Sequence, residues 1–327
     1  MLCYLQNPAR PRPKVTCTTG QDEVTVNTTT AGPQTDNPRL GIVLRILSGL
    51  LFAIMAIFIK ALSDHVPVGQ IVFFRSAFAL IPLVIFLWLR SEFPAGLATR
   101  RPVGHLLRSG FGAAAMFASF ASIARLPLAE ATLLGYLSPV FTAVAGVTIL
   151  SEKATIWRIG GVLLGVAGVL ALVWPELGNG NGDVSRLVGY GLGLIMGLLT
   201  AFALIMVRSL NRTESPGAIA FYFVVASMIG GIATMPFGWV WADAHSLLFL
   251  VLAGIFGGLA HIAMTLAFRN AEASLLAPFE YLAILWPVLA DLLIFKALIS
   301  SAFLVALPLV LAGAGLAAVE GRRRADR

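Results

Sequence analysis

The sequence predicts an all-α membrane protein of ten transmembrane helices, arranged as two inverted five-helix repeats. Three observations lead there. Of the 327 residues, 58% are hydrophobic and only 12% charged, against roughly 45–50% and about 25% in an average soluble domain. A water-soluble fold could not hide so much apolar surface. Apolar stretches of about 20 residues, the length that crosses a hydrocarbon core, recur along the chain between short polar or Gly/Pro-containing breaks. Finally, Ala129-Glu130-Ala131-Thr132-Leu133-Leu134 returns 142 residues later as Ala271-Glu272-Ala273-Ser274-Leu275-Leu276. A second echo, at an offset of 148, aligns Lys60, Gly69 and Phe73 with Arg208, Gly217 and Phe221, so the chain is a duplicated unit.

The first repeat spans residues 39–174, with segments at about 41–62, 67–90, 105–125, 128–150 and 156–174. The second spans 188–320, with segments at about 188–209, 216–237, 246–268, 272–295 and 299–319. Residues 1–38, rich in Thr and Pro, read as a disordered cytoplasmic tail or an over-extended reading frame. They hold both cysteines, Cys3 and Cys17, so no disulfide framework, metal set or cofactor is expected. Residues 175–187 form a Gly-rich linker without the Lys-Ser/Thr ending of a phosphate-binding loop. A basic cytoplasmic tail closes the chain at 321–327.

The net charge of +7 is distributed by side and does not indicate nucleic acid. With the N-terminus inside, the inner gaps collect Arg90, Arg100, Arg101, Arg108, Lys153, Arg158, Arg208, Arg212, Arg269 and the Arg-rich tail. The outer gaps hold only Lys60, Arg125, Arg186 and Lys296. By the positive-inside rule both termini are cytoplasmic. Trp88, Trp157, Trp174, Trp239 and Trp241 fall near segment ends, as an interfacial belt requires, and Trp286 does not. An odd helix number per repeat inverts the second relative to the first. That construction lets two halves exchange inward-open and outward-open shapes about a midplane site. Gly189, Gly193 and Gly197, and likewise Gly161 and Gly165, place small residues on one helix face, either as static packing or as a sliding seam.

An ionised group at mid-bilayer costs about 2.5–3.5 kcal/mol on insertion scales, so each one inside a span needs a reason. Arg75 lies about 8 residues into the second segment, or roughly 12 Å deep at 1.5 Å per residue. It either snorkels outward or faces a cavity where it pairs with an anionic substrate group. Arg108 is a second anion contact. His261 and Glu280 sit at similar depth on either side of the turn near Asn270. They form either a proton-coupled pair or a structural tether. At the 142-residue offset they map to Ser119 and Ser138, which keep polarity without charge. Pro278 and Pro139 are expected to loosen the helices beside Glu280 and Ser138. Tyr136, Tyr281 and Trp286 offer aromatic surface for a planar ligand or for packing. Glu130 and Glu272 open helices, where a carboxylate complements the dipole. Lys60 and Arg208 read as interfacial anchors, and Asp291 as reaching water or, loosely, Lys296.

The chain resembles the drug/metabolite transporter superfamily, in its branch of EamA-like ten-helix permeases. The likeness runs over residues 40–320. It rests on Phe73-Phe74-Arg75-Ser76, Pro127-Leu128-Ala129-Glu130-Ala131, Ser138-Pro139-Val140-Phe141 and Ser151-Glu152-Lys153. The resemblance implies a bacterial inner-membrane carrier of a small organic metabolite, with a cavity lined by the third, fourth, eighth and ninth helices. The family's glutamate closing the ninth helix is replaced here by Ile294-Phe295-Lys296. Members with similar segments around Arg75 and His105-Leu106-Leu107-Arg108 import S-adenosylmethionine or riboflavin, or export amino acids.

The reading is therefore a secondary transporter working by alternating access, with protons as one candidate coupling ion. Its partners are a small-molecule substrate and the lipid bilayer, its state a monomer or homodimer. The alternative is a passive facilitator or channel, which calls for a continuous hydrophilic stripe, whereas the polar residues are isolated. An intramembrane enzyme would need a clustered nucleophile and base or metal ligands, and the sequence shows none.

Overall fold

The computed structural model describes residues 3–5, 15–19, 22–26, 37–148, 155–178, 183–211 and 213–325. The first repeat forms α1 (Pro38–Leu62), α2 (Val68–Leu89), α3 (Pro102–Ile123), α4 (Leu128–Gly135), α5 (Ser138–Thr148) and α6 (Ile156–Gly178). The second forms α7 (Val184–Leu210), α8 (Pro216–Ile232), α9 (Ala244–Asn270), α10 (Ala273–Leu282), α11 (Leu285–Leu293) and α12 (Ser301–Ala325). Local chemistry sets several starts. The Asn37 side chain accepts from Leu40 N ahead of Pro38, Asp183 from Ser185 N, Ser215 from Ala218 N and Asp243 from Ser246 N. These caps satisfy amides that a helix leaves without partners.

The fourth and ninth segments are each two consecutive helices, so the ten expected spans are made by twelve helices. Eight spans are long and apolar enough to cross a membrane, counting Leu128–Thr148 and Leu275–Leu293 as one each. The other two, Pro216–Ile232 and Ser301–Ala317, are shorter apolar helices. The breaks fall at Tyr136-Leu137 and Ala283-Ile284. Pro278 is not the cause, because α10 runs through it. The breaks lie just N-terminal to Pro139 and Pro287, whose rings exclude the carbonyl four residues back. These two prolines match at the 148-residue offset.

The helix pairings obey an exchange of the two repeats. Contacts of α1 with α9 mirror those of α3 with α7, α2 with α9 mirror α3 with α8, and α1 with α10 mirror α4 with α7. Two further pairs, α2 with α8 and α6 with α12, relate equivalent helices to each other. Buried hydroxyls tie both members of the first mirrored pair: Ser48 donates to Ala260 O and Ser122 to Gly189 O, each at 2.9 Å. The glycine stripe of α7 meets α4 at the Leu134 side chain and carbonyl, and Gly161 and Gly165 of α6 lie against Gly313 of α12. Ile81, Ile85, Leu163, Val166, Leu170 and Leu198 are exposed on the outside of the bundle, an apolar girdle suited to lipid.

Residues 1–38, expected to be without structure, contain three short strands, β1 (Cys3–Leu5), β2 (Val15–Thr19) and β3 (Asp22–Val26). They pair in an antiparallel sheet of order β1-β2-β3. Glu152, Lys153 and Arg212 lie outside the described residues, as do residues 179–182 of the expected linker, whose flanks instead end α6 at Gly178 and begin α7 at Val184.

Candidate substrate site

Arg75, Arg108 and His261 converge at the centre of the bundle. Arg75 on α2 is only 2% exposed, which removes the snorkelling alternative. Its head crosses α9 where Gly257 leaves room. A Cβ on Gly257 would lie 3.1 Å from Arg75 Nε, 3.2 Å from Nη2 and 2.8 Å from Met55 Sδ. Gly254 and Gly258 let the α2 backbone approach the same face of α9. Arg108 on α3 is half-buried and stacks its guanidinium 4.3 Å above the Phe223 ring of α8. His261 on α9 is also half-buried. It stands edge-on to Phe52 of α1 at 5.0 Å and 6.2 Å from Phe223, within the electrostatic reach of both arginines.

Both guanidiniums have donors to spare. The Nε and Nη1 atoms of Arg75 and of Arg108 are buried without a hydrogen-bond partner among the described residues. An uncompensated buried charge destabilises a fold by several kcal/mol, and arginine cannot discard its proton.

His261 and Glu280 do not pair. Glu280 instead forms an ion pair with Arg45 on α1, Oε2 to Nη2 at 3.2 Å, and its carbonyl accepts from Tyr136 Oη at 3.0 Å. Tyr136 also meets Tyr281, ring to ring, at 5.8 Å. The expected site thus divides into a cationic centre and a neighbouring Tyr136–Glu280–Tyr281–Arg45 group. Glu280 keeps a side chain 48% exposed while Arg45 is 9% exposed. Ser138 is buried at the start of α5, and its carbonyl accepts from Thr142 Oγ1. Ser119 is half-buried on α3. Among the described contacts neither serine joins the cationic centre as a counterpart of His261 or Glu280. Trp286 lies against α1, in an apolar hollow of about 170 Å³ with Leu50, Ile54, Ile57 and Leu289, and so is packing rather than site. The centre draws on α1, α2, α3, α8 and α9, which are the first, second, third, seventh and eighth of the ten segments, whereas the resemblance implied the third, fourth, eighth and ninth.

Arg45 escaped the sequence reading although it is a cation inside a span, the same signal that marked Arg75. Asp291 was also misjudged. It is 1% exposed and accepts from Leu128 N at 3.0 Å and Ala129 N at 2.8 Å. It thereby caps α4, whose own N-cap residue, Pro127, makes no side-chain cap bond. Lys60 is no interfacial anchor, because its Nζ donates to Ile123 O at 2.8 Å and Leu126 O at 3.0 Å, at the end of α3. A cation is favourable at a helix C-terminus. Beside them Glu130, 3% exposed, accepts from Arg186 Nη2 at 3.0 Å, Tyr190 Oη at 2.8 Å and Ser300 Oγ at 3.2 Å. Arg186 also reaches Glu176 at 2.7 Å. This network ties α4 to α7, α11 and α12 at the bundle end opposite the one where α1 begins.

At the end where α1 begins the polar contacts fall into separate groups. His105 Nε2 lies 3.4 Å from Glu214 Oε2, and Glu214 also accepts from Arg100 N at 3.2 Å. Across the bundle Gly41 of α1 packs on Ala267 and Ala271.

A lipid-facing bundle of repeated five-helix units around a buried, unneutralised polar centre defines a polytopic membrane transporter. The EamA-like transporter family model matches residues 39–174. The chain is 30% identical over 257 residues to the pseudopaline exporter CntI of Pseudomonas aeruginosa, covering 75% of this chain and 84% of that one. It is 29% identical to an uncharacterized transporter of Helicobacter pylori, over 77% of this chain and 85% of the other. With the riboflavin transporter of Rhizobium johnstonii it shares 24% identity, over 83% and 88% of the two chains. The protein belongs to the EamA-like transporter family, of the drug/metabolite transporter superfamily, and is a transporter rather than an enzyme.

Proposed function

We propose that the protein is a secondary carrier moving a small organic metabolite across a bacterial inner membrane by alternating access, with both termini cytoplasmic. The observation that carries this reading is the pair of unpartnered guanidiniums at the centre of a bundle latched at one end. In this orientation the Asp291/Glu130 network closes the outer end, and the Arg45–Glu280 group lies toward the inner end. Exchanging the two shapes of the repeats would release one end while closing the other. The pseudopaline and riboflavin transporters among the relatives support a metabolite-sized substrate. The proton-coupling role, one of the two readings of the His261/Glu280 pair, falls to Glu280 alone. Glu280 is the exposed one among the carboxylates of the described spans, beside buried Glu130 and Asp291 and part-buried Glu176, and its partner is Arg45.

Counterflow in proteoliposomes tests the reading. Vesicles preloaded with one of a panel of unlabelled metabolites are assayed for uptake of the same labelled compound. A carrier gives trans-stimulated uptake, whereas flux indifferent to the trans compound would establish a passive pore. Coupling is read by imposing a pH gradient on wild type and Glu280→Gln. Gradient-driven uptake should be lost in the variant with counterflow retained.

A further inference from the structure

We infer that the transported solute is an organic dianion, carrying two carboxylate or phosphate groups on a compact apolar frame. The inference rests on the carrier reading and specifies its substrate. Arg75 and Arg108 place two permanent positive charges within reach of one imidazole, His261. Each has buried Nε and Nη1 donors without a partner among the described residues. Of the carboxylates described within the spans, each is committed elsewhere: Glu280 to Arg45, Glu130 and Glu176 to Arg186, and Asp291 to the α4 amides. Arg75 is buried and Arg108 half-buried; two negative charges offset both cations, and a monoanion would leave one uncompensated. A neutral or cationic solute would leave both.

Guanidinium N–H groups in one plane match the paired oxygens of carboxylate or phosphate. One face of the Arg108 plane is covered by Phe223 at 4.3 Å, which leaves its edges for the anion. Phe52, Met55 and Phe223 supply apolar wall for the solute's carbon frame. Gly257 keeps the Arg75 edge clear, since a Cβ there would come within 3.2 Å of both Nε and Nη2.

The test uses the full-length protein in detergent and in proteoliposomes. Thermal stabilisation and counterflow are measured with succinate, glutarate and phosphoglycolate, against leucine and lysine. The expected result is stabilisation and counterflow by at least one dianion or trianion and neither by leucine or lysine. Carboxylates and the phosphate ester separate the two anion sources. Arg75→Gln and Arg108→Gln should each weaken the response at least tenfold, while Arg75→Lys, which keeps the charge, should retain part of it. Variants are compared only as monodisperse protein, and the wild-type solute ranking stands without any variant. Preference for leucine or lysine, no response to any anion, or Gln variants matching wild type would each overturn the inference. Counterflow of a neutral solute would do so while leaving the carrier reading intact, and flux without trans-stimulation would remove both.

Discussion

Glu130 and Glu272 occupy matching places in the duplicated sequence and have come to different ends. Glu130 is buried in a four-group network with Arg186, Tyr190 and Ser300. Glu272 is an exposed N-cap residue whose side chain makes no capping bond. The same inequality separates the two ends of the bundle. One is stitched across the repeats by the adjoining Asp291 and Glu130 bonds. The other also joins the repeats, but through a set of bonds confined to the α2–α3 side, Glu214 with His105 and Arg100, Arg101 with Ser209 O, Ser215 with Gly96 O and Tyr222 with Leu97 O. A duplicated fold supplies two equivalent shapes, and side chains like these decide which shape is the resting one. The difference of a few hydrogen bonds suffices, because an interaction free energy of 1.4 kcal/mol already shifts an equilibrium tenfold.

The largest effect should follow from Asp291→Ala. It removes two charge-assisted bonds to the α4 amides, each worth about 1.5–3 kcal/mol. Thermal unfolding in detergent should show the steepest drop of any single substitution at this end, with Asp291→Asn intermediate. Glu130→Gln should come next, at about 1–2 kcal/mol, less than a fully buried pair because Arg186 is 29% exposed. Glu272→Gln should stay within about 0.5 kcal/mol, as surface changes do. Equal costs at the two positions would break the comparison between the ends.

Arg45→Gln and Glu280→Gln sharpen it further. A double-mutant cycle should give a coupling of about 0.5–1 kcal/mol, held down by water at the 48% exposed carboxylate. The smallest effect belongs to Asp243→Ala. Hydrogen bonding, chiefly with Ser246, holds this N-cap carboxyl below the usual carboxylate range. Its contribution is therefore full above the unfolded-state value of about 3.9 and lost as pH falls through the lower folded-state value. The small difference in melting temperature between variant and wild type should vanish in acid.

The ten-segment bundle was legible because its signals are dense: hydropathy at span length and a repeat whose 148-residue offset also relates the two prolines beside the helix breaks. Arg75 and His261 were legible as polar groups where lipid forbids them, whereas Arg108 was counted with the inner-gap charges and named as an anion contact without that signal. Pairings were not legible. His261 and Glu280 share a depth, but depth says nothing of azimuth, and α1 brought Arg45 to the carboxylate instead. Gly254, Gly257 and Gly258 were passed over because a small residue gains meaning only when its neighbour across the interface is known. Asp291 capping a helix 163 residues away in the chain leaves one local trace, a proline where a capping side chain would stand.

The unequal ends are tested most directly by accessibility in oriented vesicles. Cys3 and Cys17 are replaced by serine, and single cysteines are introduced as Tyr136→Cys and Leu126→Cys. Labelling with a membrane-impermeant maleimide should reach position 136 from the side bearing the termini. Position 126, 1% exposed beneath the network, should be protected from the opposite side until Asp291→Ala is added. Equal labelling of position 126 with and without Asp291 would contradict the latch.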